Sequence, residues 1–108
     1  MTKIKLDPRM TFQIDSIYTY ISENLSNEPA AYKLQHMIKR KISSLATFPN
    51  SGTTITTLID NVAPRFSSVR RLNANDYVIL YAYFEKIDIV LVTHIFHQTQ
   101  NYGRFFKS

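Results

Sequence analysis

The stretch at residues 70–99, RRLNANDYVILYAYFEKIDIVLVTHIFHQT, contains two strongly apolar segments separated by Glu85-Lys86. Residues 77–84 are apolar at every position, which predicts a central strand buried on both faces. Residues 87–96 predict a second strand, which Glu85-Lys86 would connect to the first by a turn. Residues 67–72 predict a further strand that ends in a turn at NAND. This part of the chain therefore predicts three consecutive antiparallel strands.

The amino-terminal half predicts one strand and two helices. Residues 3–6 alternate charged and apolar side chains, which suits a short strand. Asp7-Pro8 predicts a helix start, because Asp accepts hydrogen bonds from free backbone N–H groups and Pro fits the first helical position. We expect this helix to end near residues 24–27. Its apolar face consists of Met10, Ile14, Ile17, Tyr18, Ile21 and Leu25.

A second helix is predicted to start near Pro29 and to stop before Phe48-Pro49. Its buried stripe consists of Ala31, Leu34, Ile38, Ile42 and Leu45. Residues 53–66 mix β-branched residues with a proline and predict a loop with one short strand. The predicted order is β-α-α-β-β-β in a single domain spanning residues 1–108. The expected fold is α+β, with an antiparallel sheet packed against a two-helix hairpin.

Composition excludes several kinds of chemistry. The chain has no cysteine, which removes disulfides, thiol nucleophiles and cysteine zinc sites. His94 and His97 are three apart on a predicted strand and would face opposite sides, so we expect no metal site and no cofactor. No apolar run is long enough to span a bilayer and no signal peptide is recognisable, so we predict a cytoplasmic protein without membrane contact. The net charge of +5 favours anionic partners.

Short motifs follow one another in a fixed order over residues 3 to 102. Leu6 and Pro8 precede the first helix, the sequence IYTYI lies within it, and PAA opens the second helix. FPNSG follows that helix. The sequence VRRLNANDYVILY leads into the central strand, and the last strand closes on Ile-x-His at His97. In order and spacing, these motifs resemble the ParE-type toxins of the RelE/ParE superfamily.

The resemblance implies a type II toxin neutralised by a cognate antitoxin, in a toxin–antitoxin hetero-oligomer. Members of the superfamily act in one of two ways. A ParE-like toxin inhibits growth by binding a cellular target such as DNA gyrase. A RelE-like toxin is a metal-independent endoribonuclease that cuts mRNA on the ribosome. A third interpretation is an inactive relative that binds only its antitoxin, so whether the chain is an enzyme stays open.

RNA cleavage at a 2′-hydroxyl needs a base, an acid and cations that hold the charged phosphate. The resemblance places His97, Arg71 and Tyr102 as the candidates for these roles. Val78, Gln98 and Gln100 stand where relatives often carry arginines, and this departure favours binding over cleavage.

A second group of residues is predicted to bind the antitoxin or the target. It consists of Arg65, Arg70, Arg104, Phe105 and Phe106. Arg70 and Arg71 are adjacent on a strand, so their side chains point to opposite faces and only one can line a given site. The alternative for the aromatic tail is that it caps the core.

Overall fold

The computed structural model describes residues 1–99 and Phe106. Within them the sheet has five strands in the order β1-β5-β4-β3-β2. The elements in chain order are β1 (Lys3–Leu6), α1 (Pro8–Thr19), α2 (Glu28–Ser44), β2 (Thr53–Thr54), α3 (Ile55–Leu58), β3 (Val69–Ala74), β4 (Tyr77–Phe84) and β5 (Ile89–His97). The predicted α+β class is confirmed, and the bounds of β1 and β4 are those predicted.

The prediction of a fully antiparallel sheet is wrong at one edge. The pairs β2–β3, β3–β4 and β4–β5 are antiparallel, but β1 runs parallel to β5, with Lys3 opposite Ile89 and Leu6 opposite Val92. Consecutive strands joined by tight turns must be antiparallel. β1 is separated from β5 by both long helices and three strands, so no turn imposes that direction on it.

α1 begins as the sequence predicts. The Asp7 carboxylate accepts a hydrogen bond from the backbone N–H of Arg9 at 2.9 Å, and Pro8 is the first helical residue. The helix continues into a wider π-helical turn at Tyr20–Asn24. That turn contains more residues than an α-helical turn, so it changes the direction in which later side chains point. Leu25, predicted on the buried face, is therefore 57% exposed.

The predicted stripe of α2 packs on the sheet. Together α1, α2 and one sheet face enclose the larger core cluster, whose buried members are Met10, Ile14, Ile38, Ile42, Leu45, Ala74, Ile79, Tyr81, Val90, Val92 and Ile95. Asn27 caps α2 by accepting a hydrogen bond from the backbone N–H of Ala30 at 3.3 Å. This local cap explains why the helix starts next to Pro29.

Residues 53–66 are more ordered than the predicted loop. They form β2, α3 and a 3-10 turn at Pro64–Phe66. These elements cover the sheet face opposite α1 and α2. There they help to build a second cluster, made of Ile55, Val78, Leu80 and Phe106 with half-buried residues around it. The sheet is thus covered on both faces, not on one.

The β3–β4 turn lies within the predicted NAND segment, but β3 runs two residues further than predicted. β3 extends to Ala74, and the turn consists of Asn75-Asp76. Asn75 has a φ of 54°, in the left-handed region that asparagine tolerates better than most residues. In the described part of the chain, no helix is both long and apolar enough to cross a membrane.

Candidate functional site

A groove of about 520 Å³ lies between α1 and the adjacent ends of β4 and β5. The residues that line it are Phe12, Gln13, Ser16, Ile17, Tyr20, Tyr77, Ile95, Phe96 and His97. Phe12 is 73% exposed and Tyr20, two helical turns further along, is 54% exposed, so two large aromatic side chains face solvent on this side of the groove. The lining contains no Lys, Arg, Asp or Glu among the described residues. The groove is therefore apolar with a few polar groups.

Helical spacing creates the outer wall of this groove. Phe12, Ser16 and Tyr20 are four residues apart and lie on one helical face, away from the buried Met10 and Ile14. The floor is fixed to the wall, because the backbone N–H of Ile95 donates a hydrogen bond to the side-chain oxygen of Gln13 at 2.9 Å. The wall and floor are thus held together in the free chain.

Tyr77 and His97 form the end of the groove. Burial raises the pKa of the Tyr77 phenol, and the nearby Asp76 carboxylate and the Tyr20 phenol add to this. The His97 ring packs edge-on against Tyr77, with ring centres 5.3 Å apart. Its Nδ1 lies 2.8 Å from the Thr99 hydroxyl and accepts the Thr99 backbone N–H at 3.3 Å. His97 is therefore a hydrogen-bonded residue of the sheet rim.

Arg71 lies on the other face of the sheet. It is opposite Leu80 of the second cluster, whereas His97 is opposite Tyr77, which packs against the larger cluster. The Arg71 Nε donates a hydrogen bond to the side-chain oxygen of Asn73 at 3.1 Å. The structure therefore does not bring Arg71 and His97 together. Tyr102, the third candidate for catalysis, lies outside the described residues.

Arg70 contacts the loop that precedes β2. Its Nη1 donates hydrogen bonds to the carbonyl oxygens of Gly52, at 2.6 Å, and Asn50, at 3.2 Å. Arg70 and Arg71 do point to opposite faces, as expected for adjacent strand residues. Arg70 thus makes hydrogen bonds within the fold, and its role in binding a partner stays a prediction.

The other predicted binding residues lie in different surroundings. Arg65 is exposed, and its guanidinium lies 4.7 Å from the centre of the Phe66 ring. Phe106 is only 2% exposed and packs edge-on against Phe66. It therefore covers the second cluster, which agrees with the alternative in which the aromatic tail caps the core. Arg104 and Phe105 lie outside the described residues.

His94 lies on the opposite sheet face from His97. Its ring stacks on Phe96 with an interplanar angle of 8°. Burial lowers the pKa of His94, the nearby Arg9 lowers it further, and Asp7 partly offsets both. Among residues 1–99 and 106, no group of three or more His, Asp or Glu side chains is arranged to hold a metal ion.

Sequence reasoning missed the groove. The available signal was that Phe12 and Tyr20 fall off the buried stripe of α1, on the face predicted to be solvated. An exposed pair of large apolar side chains at helical spacing indicates an interaction surface. The other wall could not be predicted, because it depends on which strand ends lie beside α1.

The fold defined by this sheet and its two helices is that of the RelE/ParE superfamily. A solved structure described as "Chromosomal ParDE TA system from P. aeruginosa" superimposes with a TM-score of 0.68 over 90% of this chain and 96% of that chain, at 17% identity. The family model described as "ParE toxin of type II toxin-antitoxin system, parDE" matches residues 4–102. The chain therefore belongs to the ParE toxin family. A search of curated proteins gave no significant match.

Proposed function

We propose that this ParE-family toxin acts by binding a cellular target, with DNA gyrase as the candidate, and not by cutting RNA. The observation that carries the proposal is the separation of Arg71 and His97 onto opposite sheet faces. General acid–base catalysis needs its groups within hydrogen-bond reach of one substrate. A single phosphodiester cannot contact both side chains across a packed sheet.

The sheet face that carries Arg71 is also poorly suited to a polyanion. Val78 and Leu80 on this face are fully buried beneath Ile55 and Phe106. A ribonuclease would need cations where this apolar cluster lies, because the phosphate charge in the transition state must be stabilised. The position of Val78 thus agrees with a toxin that binds rather than cleaves.

We further propose that the groove beside α1 receives an apolar segment of the cognate antitoxin, giving a toxin–antitoxin hetero-oligomer. The described lining has no charged side chain that such a segment would have to desolvate. Phe12 and Tyr20 offer rigid aromatic surface, the type of side chain that contributes most to interfaces. An amphipathic helix with apolar residues at three- and four-residue steps fits a groove of this kind. Both proposed partners would be met in the cytoplasm.

The groove is tested by Phe12→Ala, with Tyr32→Ala as the matched control. Tyr32 is 57% exposed on α2 and does not line the groove. We expect Phe12→Ala to weaken antitoxin binding roughly 5- to 30-fold, as for an interface hot spot, and Tyr32→Ala to leave it unchanged. Titration calorimetry with the cognate antitoxin measures both. Equal affinities for wild type and Phe12→Ala would refute this placement.

The mode of action is tested by two assays on the same purified protein. We expect the toxin to inhibit supercoiling by purified gyrase, and to leave mRNA intact in a cell-free translation mixture mapped by primer extension. Antitoxin added in excess should restore supercoiling. New ribosome-dependent cuts in the message would instead establish the endoribonuclease alternative. Absence of both effects would support the inactive relative.

A further inference from the structure

The loop at residues 49–52 is held to the sheet by two side chains. The Tyr81 hydroxyl donates a hydrogen bond to the carbonyl oxygen of Pro49 at 2.8 Å and accepts one from the backbone N–H of Gly52 at 2.9 Å. The guanidinium of Arg70, on the neighbouring strand, donates to the carbonyl oxygens of Asn50 and Gly52. Three of these bonds are buried or half-buried and the one to Asn50 is exposed, and those made by Arg70 are charge-assisted.

The loop leads directly into the second cluster. Gly52 is followed by the two residues of β2, and the next residue, Ile55, starts α3 with 0% exposure. A strand of two residues provides few ladder bonds of its own. The position of Ile55 therefore depends on how firmly the preceding loop is held.

Ile55 belongs to the same cluster as Phe106, together with Val78, Leu80 and the half-buried Phe66. The Phe106 carbonyl accepts a hydrogen bond from the backbone N–H of Ala63 at 2.7 Å. These contacts fix Phe106 to the fold.

We infer that Arg70 and Tyr81 are positioning residues for Phe106, acting through the 49–52 loop and Ile55. Arg70 belongs to β3 and Tyr81 to β4. Neither residue is a member of the second cluster, which contains Phe106. Their effect passes from the sheet to the loop, from the loop to Ile55, and from Ile55 to Phe106. The inference holds whichever macromolecule the toxin binds.

Amide hydrogen exchange measured by NMR tests this chain of contacts. The amide of Ala63 reports on Phe106, because it donates to the Phe106 carbonyl. The amide of Ile79, in β4, reports on the sheet as a whole. Tyr81→Phe removes the hydroxyl and keeps the ring. Tyr83→Phe is the matched control, since its hydroxyl donates a hydrogen bond to Asp88 at 2.8 Å and also interacts with Thr2, rather than bonding to the 49–52 loop.

We expect Tyr81→Phe to accelerate exchange at Ala63 about tenfold relative to Ile79, which corresponds to the loss of one buried hydrogen-bonded group. Tyr83→Phe should leave this ratio unchanged. Arg70→Met keeps a long side chain without donors and should give the same result as Tyr81→Phe. It also provides the answer should Tyr81→Phe fail to fold.

Two results would overturn the inference. One is an unchanged ratio of Ala63 to Ile79 exchange in both Tyr81→Phe and Arg70→Met. The other is equal acceleration of exchange at both amides. That would mean that the hydrogen bonds of Tyr81 and Arg70 stabilise the whole fold and do not position Phe106.

Discussion

Gly52 has no room for a side chain. A Cβ atom built there would lie 2.8 Å from the carbonyl oxygen of Arg71, and equally close to Cε1 and Oη of Tyr81. The first neighbour is backbone of β3, and the second is a fully buried ring of the larger core cluster. Neither can move away without disturbing the sheet, so we choose Gly52→Ala as the sharpest test of the packing described above.

The magnitude follows from two opposing effects. Forcing one extra methyl group into a well-packed region costs about 1–3 kcal/mol. Alanine also restricts the unfolded chain more than glycine does, which recovers about 0.4–1 kcal/mol. The steric cost is larger, and the hydrogen bond between the Gly52 N–H and Tyr81 is displaced as well. We therefore expect Gly52→Ala to lower the free energy of unfolding by about 1–2 kcal/mol.

Urea unfolding of the refolded toxin, followed by far-ultraviolet circular dichroism, measures this loss. The chain has no tryptophan, so fluorescence gives a weaker signal. For a domain of this size the urea midpoint should fall by roughly 0.5–1 M. Ser51→Ala is the control, since Ser51 is exposed and adjacent, and should stay within about 0.5 kcal/mol of wild type. A Gly52→Ala protein as stable as Ser51→Ala would show that the close packing of this loop is wrong.

Three further predictions concern other parts of the molecule. Hydrogen bonds from Arg9 lower the pKa of Asp7 from 3.8 to about 2. The stability that ionised Asp7 confers is therefore present above pH 3.8 and lost as the pH falls through 2. The difference in urea midpoint between wild type and Asp7→Asn should disappear over that range. His97→Ala should leave gyrase inhibition intact but weaken antitoxin binding, and loss of inhibition in a folded variant would contradict this by placing His97 in the gyrase interface. Phe106→Ala should cost about 2–4 kcal/mol in urea unfolding, and a negligible loss would contradict its burial.

Local features of the sequence predicted local features of the fold. The Asp7 cap, the stripe of α2 and the bounds of β4 depend on near neighbours in the chain, and all three were predicted. The direction of β1 depends on a strand more than eighty residues away, as its pairing of Lys3 with Ile89 shows, and no local pattern encodes it. The second cluster was missed for the same reason, because Ile55 and Phe106 are distant in sequence.

The candidate site divides in a similar way. The resemblance selected Arg71 and His97 by motif, but only the register of three strands reveals that they lie on opposite faces. Arg70 was predicted as a binding residue, whereas its bonds are to backbone carbonyls of a loop. Every residue carries a backbone carbonyl, so the sequence gives no sign of which ones an arginine will find.

The parallel pairing of β1 with β5 affects when the toxin can fold during its synthesis. β1 leaves the ribosome well before its partner β5 is made, and the Thr2 hydroxyl also donates a hydrogen bond to Asp88. Contacts between such distant residues form late and slow the folding of the chain. A nascent toxin therefore cannot complete its sheet until β5 has emerged. Prematurely terminated products that lack β5 would have an open edge at β4 and no finished groove beside α1.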